Sequence, residues 1–223
     1  MNSIYKVLKF RSNNSKEVDD QISIEEPLEI TIKYKDKENW VENTISITMR
    51  TPGDDEDLVR GFLFNERVIE KIDYIESIEL AGDPVGQYKL KNKAVVTINN
   101  SENIDIDKIK RNFLTNSSCG VCGKTSLDSL EIIKKDKILQ SIPKIKYDII
   151  MKSPNMLRQN QSEFSKTGGI HASGLFNVSG EIIAVKEDVG RHNALDKLIG
   201  FVLKKELLDN SSQFLTCSGR LNF

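Results

Sequence analysis

Two cysteines separated by two residues form the pattern in this sequence that is most typical of chemistry. Cys119 and Cys122 lie among serines and glycines, and Val121 is the only bulky side chain between them. Small residues make a flexible loop, and sulfur exchange requires an accessible thiolate that can reach a partner's sulfur. Cys122 also precedes a helix predicted from Lys124, whose dipole and lysine charge favour the thiolate. The pattern therefore predicts a reactive dithiol.

Three chemistries are compatible with this dithiol. A structural zinc site requires about four ligands, and the remaining candidates are only Cys217, His171 and His192, with no second pair at metal-ligand spacing. A thioredoxin-like redox dithiol usually opens a helix directly after a strand, whereas a predicted helix precedes this one. A persulfide carrier holds sulfane sulfur on one thiol while the other assists. Spacing alone does not separate the redox and persulfide alternatives. Cys217, in an apolar predicted strand, is more typical of a buried small side chain.

A second cluster of functional side chains lies where another helix is predicted to begin. Its members are Asp188, Arg191, His192, Asn193 and Lys197. Unpaired N–H groups and the positive end of the dipole make a helix start suitable for an anion. Arg191 can hold a phosphate with two hydrogen bonds, and a carboxylate such as Asp188 can hold a ribose hydroxyl or orient His192. Ordinary helix capping is the alternative for one or two of these residues.

Two glycine-containing turns complete the predicted anion site. The first contains Thr167, Gly168, Gly169 and His171, and the second contains Ser218, Gly219 and Arg220. Paired glycines let a backbone approach a ligand closely. We expect His171, at the start of a predicted strand, to face the same edge as the helix that begins near Arg191. Arg220 suits a phosphate or an acidic partner.

The pattern of apolar residues predicts the elements that position these groups. Alternation with period two predicts strands at 28–32, 45–49, 75–80, 88–90, 94–98, 170–176, 181–185 and 214–217. Helical spacing and capping signals predict helices at 55–65, 105–114, 124–135, 153–163 and 192–208. Ser153 and Pro154 are taken as the cap and first residue of their helix. Residues 11–20 are polar and predicted to be loose. The elements indicate an α/β fold.

Composition excludes several classes of protein. The 223 residues are 38% hydrophobic, enough to build one large domain or two small ones. A formal charge of −1 provides no field for nucleic acid or an anionic membrane. No segment approaches the ~20 apolar residues of a membrane span, and the N-terminus lacks a signal peptide's apolar block. Three cysteines make a poor disulfide framework, so we expect a cytoplasmic protein.

Taken together, these segments resemble the formate dehydrogenase accessory sulfurtransferase (FdhD) family. The resemblance rests on Arg50–Asp55 with Gly61–Phe64, on Ser118–Lys124, on Phe164 with Thr167–Ala172, on Glu187–Lys197 and on Ser218–Arg220. They occur in family order across nearly the whole chain, and the run Asp188–Lys197 is highly specific.

The resemblance implies an α/β (α+β) fold in two domains. A strand-rich domain would occupy residues 1–104, and a cytidine-deaminase-like three-layer α/β/α domain would occupy residues 105–223. Zinc chemistry of the deaminase type is not supported, because Ala172 and Ser173 follow His171 where a glutamate is required. Family members continue past the Ser-Gly-Arg turn, so a chain that ends at Phe223 is expected to be C-terminally truncated.

The resemblance also implies a function. Such proteins are cytoplasmic sulfurtransferases that take sulfur from a cysteine desulfurase and pass it to the bis-molybdopterin guanine dinucleotide form of the molybdenum cofactor, which formate dehydrogenase needs. Cys119 maps to the persulfide carrier and Cys122 to its helper. The cofactor-binding residues would be Thr167, Gly168, Gly169, His171, Asp188, Arg191, His192, Asn193, Lys197 and Arg220, with no resident metal. A non-catalytic cofactor-binding chaperone and a zinc or redox dithiol module are the alternatives, and a homodimer is left open.

Overall fold

A computed structural model describes residues 1–12, 14–84, 86–99, 104, 143–209 and 212–220. The strands are β1 (Asn2–Arg11), β2 (Asn14–Ser23), β3 (Glu26–Asp36), β4 (Asn39–Arg50), β5 (Ile75–Ala81), β6 (Lys93–Ile98), β7 (His171–Asn177), β8 (Ile182–Asp188) and β9 (Gln213–Cys217). The α-helices are α1 (Asp55–Asn65), α2 (Tyr147–Gln159), α3 (Ser162–Thr167) and α4 (Arg191–Lys204). The mixed α/β class is confirmed. Cys119, Cys122 and the helices predicted at 105–114 and 124–135 lie outside the described residues.

The first two strands form a hairpin, which corrects the prediction of a loose segment at 11–20. Val7 lies opposite Val18, and Lys6 forms an ion pair with Glu17 across the strands at 3.6 Å. Most side chains of β2 are polar and at least partly exposed, so the apolar alternation that identifies a half-buried strand is missing. The hairpin is also held at its base, where the backbone N–H of Ile24 donates to Met1 O.

A four-stranded sheet with the order β4-β3-β6-β5 holds the main core. The antiparallel pairing of β3 with β4 confirms the predicted pair, and β6 joins β3 in parallel. The core is formed by apolar side chains of the sheet and α1, among them Leu28, Ile30, Ile32, Leu58, Val59, Leu63, Ala94 and Val96. The strand predicted at 88–90 is wrong, because residues 86–89 form a turn in which Lys89 has a φ of 49°. A left-handed residue breaks the extended backbone that a strand requires.

Arg50 holds the connection between β4 and α1 in place. Arg50 is the last residue of β4 and Asp55 is the first residue of α1. The buried guanidinium of Arg50 donates two hydrogen bonds to the Asp55 carboxylate, at 2.9 and 3.0 Å. It also donates to Glu26 O at 3.2 Å and to Asn92 Oδ1 at 3.1 Å. Breaking a buried pair of this kind leaves an uncompensated charge, which costs about 3–5 kcal/mol. The turn between β4 and α1 is therefore rigidly placed, and α1 has the bounds that the sequence predicts.

Proline lies inside α2, which corrects the predicted helix start at Ser153 and Pro154. The helix begins at Tyr147, six residues earlier than expected, and ends at Gln159. Pro154 cannot donate to the carbonyl four residues before it, which is that of Ile150. Ser153 Oγ donates to Ile150 O instead, at 3.0 Å, so the carbonyl keeps a partner. The segment after Gln159 forms the separate helix α3.

A three-stranded antiparallel sheet with the order β8-β7-β9 forms the second half. The predicted hairpin of β7 and β8 is confirmed. Leu175 packs with Leu198 and Val202 of α4 on one face, while Phe176 stacks on Phe214 with ring centroids 5.3 Å apart. Helix α4 ends at Lys204, four residues earlier than predicted. None of the helices in the described ranges is long and apolar enough to cross a membrane.

Two glycines bring the halves of the chain together. A Cβ at Gly61 of α1 would collide with Asp196 O, and a Cβ at Gly200 of α4 would collide with Asp57 O. The backbones of α1 and α4 thus touch where these glycines face the opposite helix. The division at residues 104 and 105, and the cytidine-deaminase-like description of the second part, stay predictions.

Candidate functional site: the edge where three strands of the second sheet meet

The ends of β7, β8 and β9 that meet at one edge of the second sheet bring the two predicted turns and the start of α4 together. His171, the first residue of β7, lies opposite Asp188, the last residue of β8. On the other side of β7, the backbone N–H of Ser218 donates to Ala172 O at 2.9 Å, directly after β9 ends. Arg191 begins α4 only three residues after Asp188. The sheet register therefore collects residues that are far apart in the sequence.

Asp188 is fully buried and all its hydrogen bonds are made inside the protein. Oδ2 accepts from the backbone N–H of Thr51 at 3.0 Å and from Lys197 Nζ at 2.7 Å. Oδ1 accepts from the N–H of Gly190 at 2.9 Å and from Asn193 Nδ2 at 3.2 Å. Lys197, 2% exposed, also donates to Thr51 O at 2.7 Å. The carboxylate thus ties the turn after β4 to the start of α4.

Asn193 extends the same network. Its Nδ2 donates to Met49 O at 2.7 Å, and its Oδ1 accepts from Thr48 Oγ1 at 3.1 Å. Asp188, Asn193 and Lys197 are therefore placed beneath the surface of the predicted site. The structure shows them fixing where α4 begins, and their predicted contact with a cofactor stays a prediction. Thr51 contacts both Asp188 and Lys197 in this network. The sequence draws attention to the Thr51 segment by its Pro-Gly turn, but no sequence pattern links that segment to Asp188 or Lys197.

His171 and Arg191 converge on Gly219. Ser218 Oγ lies 3.3 Å from His171 Nδ1 and accepts from the backbone N–H of Ala172 at 2.9 Å. A Cβ at Gly219 would lie 3.2 Å from His171 Nδ1 and 3.6 Å from Arg191 Cδ. The absence of a side chain at Gly219 therefore makes room for both groups. Arg220, which follows, is exposed.

Two buried nitrogens at the start of α4 make no hydrogen bond within the part of the chain that the structure describes. They are Arg191 Nε and His192 Nε2. Burial, with a smaller effect from the positive charge of Arg191, lowers the pKa of His192. The imidazole is therefore more readily neutral than an exposed histidine. Buried polar groups without partners carry a free-energy cost, so these atoms are suited to a ligand that pairs with them.

The glycine turn is held by a carboxylate that sequence reasoning did not select. Glu187 accepts from the backbone N–H groups of Glu163 and Phe164, each at 2.9 Å, at the start of α3. At the other end of α3, Gly168 adopts a φ of 68° and its N–H donates to Phe164 O at 2.8 Å. Neighbouring residues of a strand point to opposite faces, so Glu187 holds α3 while Asp188 holds α4.

Thr167 connects the glycine turn to the N-terminal hairpin. Its hydroxyl donates to Glu163 O at 2.9 Å and accepts from Ser23 Oγ at 2.8 Å. Gly168 and Gly169 are exposed. The exposed members of the predicted site are thus the glycines and Arg220, and His171, Arg191 and His192 are half-buried beside them.

Cys217 lies beside this edge, half-buried at the end of β9. Its sulfur accepts from Ser173 Oγ at 3.4 Å. Among the described residues, no group of three histidine, cysteine, aspartate or glutamate side chains could hold a metal ion.

Comparison with known proteins decides the family. The model of the FdhD/NarQ family matches residues 23–223. The chain belongs to this family. The predicted resemblance is therefore confirmed.

Curated relatives in the FdhD/NarQ family are named sulfur carrier protein FdhD. The relative from Sulfurisphaera tokodaii is 39% identical over 218 residues, which cover 98% of this chain and 76% of the relative. The relative from Picrophilus torridus is 40% identical over 207 residues, covering 92% and 72%. The relative from Streptomyces coelicolor is 39% identical over 222 residues, covering 98% and 75%.

A solved structure shares the fold. It is described as a formate dehydrogenase accessory protein from Desulfotalea psychrophila, with a TM-score of 0.67 and 21% identity. The alignment covers 99% of this chain and 76% of that one. This likeness independently supports the mixed α/β architecture.

Proposed function

We propose that this protein is a cytoplasmic sulfurtransferase that carries sulfur as a persulfide on Cys119 and delivers it to the molybdenum cofactor used by formate dehydrogenase. The observation that carries the proposal is the family match over residues 23–223, which spans the dithiol and the sheet edge together. Relatives in the family are named sulfur carrier proteins, and the structural relative is described as a formate dehydrogenase accessory protein.

The loading step is a thiol–persulfide exchange. The Cys119 thiolate attacks the outer sulfur of a desulfurase persulfide, the bond between the two sulfurs breaks, and the desulfurase thiolate leaves. Cys119 then holds S–SH. No net oxidant or reductant is needed, because one sulfur–sulfur bond replaces another.

Release of the sulfur gives Cys122 its role. The Cys122 thiolate attacks the Cys119 sulfur, a disulfide forms, and hydrosulfide leaves. The transferred sulfur is reduced by two electrons while the two thiols are oxidised. A thiol reductant of the cytoplasm returns the disulfide to the dithiol.

The sheet edge supports the choice of a phosphate-rich acceptor, the bis-molybdopterin guanine dinucleotide form of the cofactor. Arg191 Nε and His192 Nε2 are buried nitrogens without partners among the described residues. Both lie at the start of α4, where unpaired N–H groups and the helix dipole favour anions. The turn Thr167–Gly169 leads into His171 at the start of β7, and Arg220 follows the Ser218–Gly219 turn, so both turns lie next to this edge. Asp188, Asn193 and Lys197 contribute by fixing the start of α4 in place.

Sulfur loading tests the carrier. The protein is incubated with a cysteine desulfurase and cysteine that contains radioactive sulfur, and label bound to the protein is measured before and after thiol reduction. We expect reducible label on the parent chain and on a Cys217→Ala control, and loss of the label in Cys119→Ala. Equal labelling of Cys119→Ala would contradict the assignment.

A complementation assay distinguishes the proposed sulfur carrier from the alternative, a non-catalytic binding chaperone. In a cell that lacks the protein, the parent chain should restore formate dehydrogenase activity and the Cys119→Ala/Cys122→Ala variant should not. Full activity with the double variant would show that the protein acts by binding the cofactor or the dehydrogenase, with the dithiol dispensable.

A further inference from the structure

The turn after β9 contacts two half-buried side chains of the sheet edge, His171 and Arg191. Ser218 Oγ lies 3.3 Å from His171 Nδ1, and a Cβ at Gly219 would lie 3.2 Å from His171 Nδ1 and 3.6 Å from Arg191 Cδ. This contact is made from the end of one edge strand to the start of the central strand. The part of it between Ser218 and His171 is therefore set by the pairing of β7 with β9.

Ser218 Oγ is placed to interact with both the backbone N–H of Ala172 and the imidazole ring of His171. The backbone N–H of Ala172 can only donate, so Ser218 Oγ accepts that bond at 2.9 Å. The hydroxyl hydrogen is then free to be donated, and His171 Nδ1 lies 3.3 Å away, within reach as its acceptor. A neutral imidazole has one donor and one acceptor nitrogen, so in the tautomer whose Nδ1 accepts from Ser218 the proton lies on Nε2. Nε2 lies across the ring from Nδ1 and therefore away from Ser218.

We infer that Ser218 is a positioning residue that orients His171 so that its Nε2–H donates to a phosphate oxygen of the ligand beside Arg191. The inference rests on the proposed function, because it takes a phosphate-bearing acceptor as the ligand of this edge. Ser218 acts through His171 and has no contact of its own with the ligand. Gly219 supports the arrangement, since a Cβ there would press on the imidazole ring at Nδ1 and Cε1.

A double-mutant cycle with inorganic pyrophosphate as the probe tests this role. Calorimetry would measure the dissociation constant for the parent chain, Ser218→Ala, His171→Ala and the double variant. We expect Ser218→Ala to weaken binding by roughly three- to tenfold in the parent, the value of one hydrogen bond. In the His171→Ala background the same change should have little effect, because the two residues act as a unit. Ser218→Thr, which keeps the hydroxyl, should restore binding, and Ser179→Ala, in the exposed turn between β7 and β8, should leave binding unchanged.

A nitrogen NMR measurement tests the geometry without any ligand. Long-range proton–nitrogen correlations of the His171 ring should place the proton on Nε2 and show Nδ1 as a hydrogen-bond acceptor. In Ser218→Ala the Nδ1 resonance should move to the value of a free acceptor. If Ser218 served only the Ala172 N–H, the Nδ1 resonance would not change, and the inference would be wrong.

A failure of the positioning role and a failure of the sulfur-carrier function would give different results. Equal losses from Ser218→Ala in both backgrounds, or no pyrophosphate binding by the parent chain, would overturn the positioning role. Because pyrophosphate binding requires neither dithiol cysteine, a Cys119→Ala chain should give the same cycle. Failure of Cys119 to take up sulfur would instead contradict the carrier function and leave the cycle intact.

Discussion

Asp196 lies in the segment of candidate site residues but contributes to the packing of two helices. It lies in α4 and accepts a hydrogen bond from Asn65 Nδ2 of α1 at 2.7 Å. Burial is the main cause that raises the pKa of the Asp196 carboxyl from 3.8 to about 7. The negative charges of Glu66 and Asp188 act in the same direction, and the hydrogen bond from Asn65 opposes them. The residue lies in the segment that identifies the family, yet it faces the other helix.

The raised pKa predicts a pH-dependent stability. Between pH 3.8 and about 7 the folded chain holds a proton that the unfolded chain has lost, so the free energy of unfolding decreases as the pH rises through this window. Asp196→Asn removes that titration and keeps an oxygen for Asn65. Relative to the parent, the variant should gain on the order of 2–4 kcal/mol between pH 5 and pH 8, measured by urea unfolding. Asp148→Asn, at an exposed position of α2, should show no such gain, and an equal change in both variants would contradict the assignment.

At the same scale, the sequence predicted which candidate side chains come together better than it predicted which of them are buried. Arg191 and His171 were expected at one edge of a sheet, and the structure places them around Gly219. Asp188 and Lys197 were expected to contact a cofactor and are buried in an internal network. Residue type shows that a side chain can bind an anion. It does not show whether the anion is a ligand or another residue of the chain, because that depends on which backbone packs against it.

At the scale of elements, the contact of α1 with α4 is the joint between the two sheets. Gly61 and Gly200 each face backbone of the opposite helix at a distance that no Cβ allows. Lys186, on the neighbouring strand β8, reinforces the joint through ion pairs with Asp54 at 2.9 Å and Asp57 at 3.0 Å. Helix packing and ion pairs together hold the start of α4 at the candidate site.

This joint predicts a large effect from a small substitution. Gly200→Ala should raise the intrinsic helix propensity of α4 but force the helices apart, because the new methyl group meets Asp57 O. We expect the free energy of unfolding to decrease by about 2 kcal/mol or more, with a lower urea midpoint. Lys152→Ala, on an exposed face of α2, should change it by no more than about 0.5 kcal/mol. Equal midpoints for the parent and Gly200→Ala would show that the helices can separate without cost.

The elements themselves were largely predictable where one face is buried. Helix α1 and the strands at 28–32 and 94–98 follow from periodicity, because their apolar residues form the core. The hairpin of β1 and β2 did not follow, since its polar strands bury little. Helix α2 was misplaced because a proline normally marks a helix start, and only the fold brings Ser153 Oγ to the carbonyl that Pro154 leaves unpaired.

At the scale of the whole molecule, the described halves are connected by buried polar contacts as well as by helix packing. Thr51 of the first half contacts Asp188 of the second, and Asn65 contacts Asp196. A boundary crossed by buried charged groups resembles the interior of one unit more than a mobile contact between domains.

The connection predicts one cooperative unfolding transition. Trp40, the single tryptophan, reports on the first sheet by fluorescence, and backbone amide signals of β7 report on the second. Urea titrations followed by the two probes should coincide. Two separated transitions would show that residues 1–104 and 105–223 unfold as independent domains. Arg50→Met should lower the midpoint at both probes, while Lys35→Met, on the exposed end of β3, should move neither.

The sequence by itself determined the family, the mixed α/β class and the residue types able to handle sulfur and anions, because these depend on local motifs and on apolar periodicity. The tertiary structure decided which of those residues meet. Strand register brings His171, Arg191 and the Ser218–Gly219 turn to one edge, and two glycines let α4 approach α1 closely enough to bury Asp188 and Lys197. The contacts between the two halves join residues more than a hundred positions apart, as for Thr51 and Asp188. No local pattern contains that information, because it arises from packing and pairing among elements that are remote in sequence.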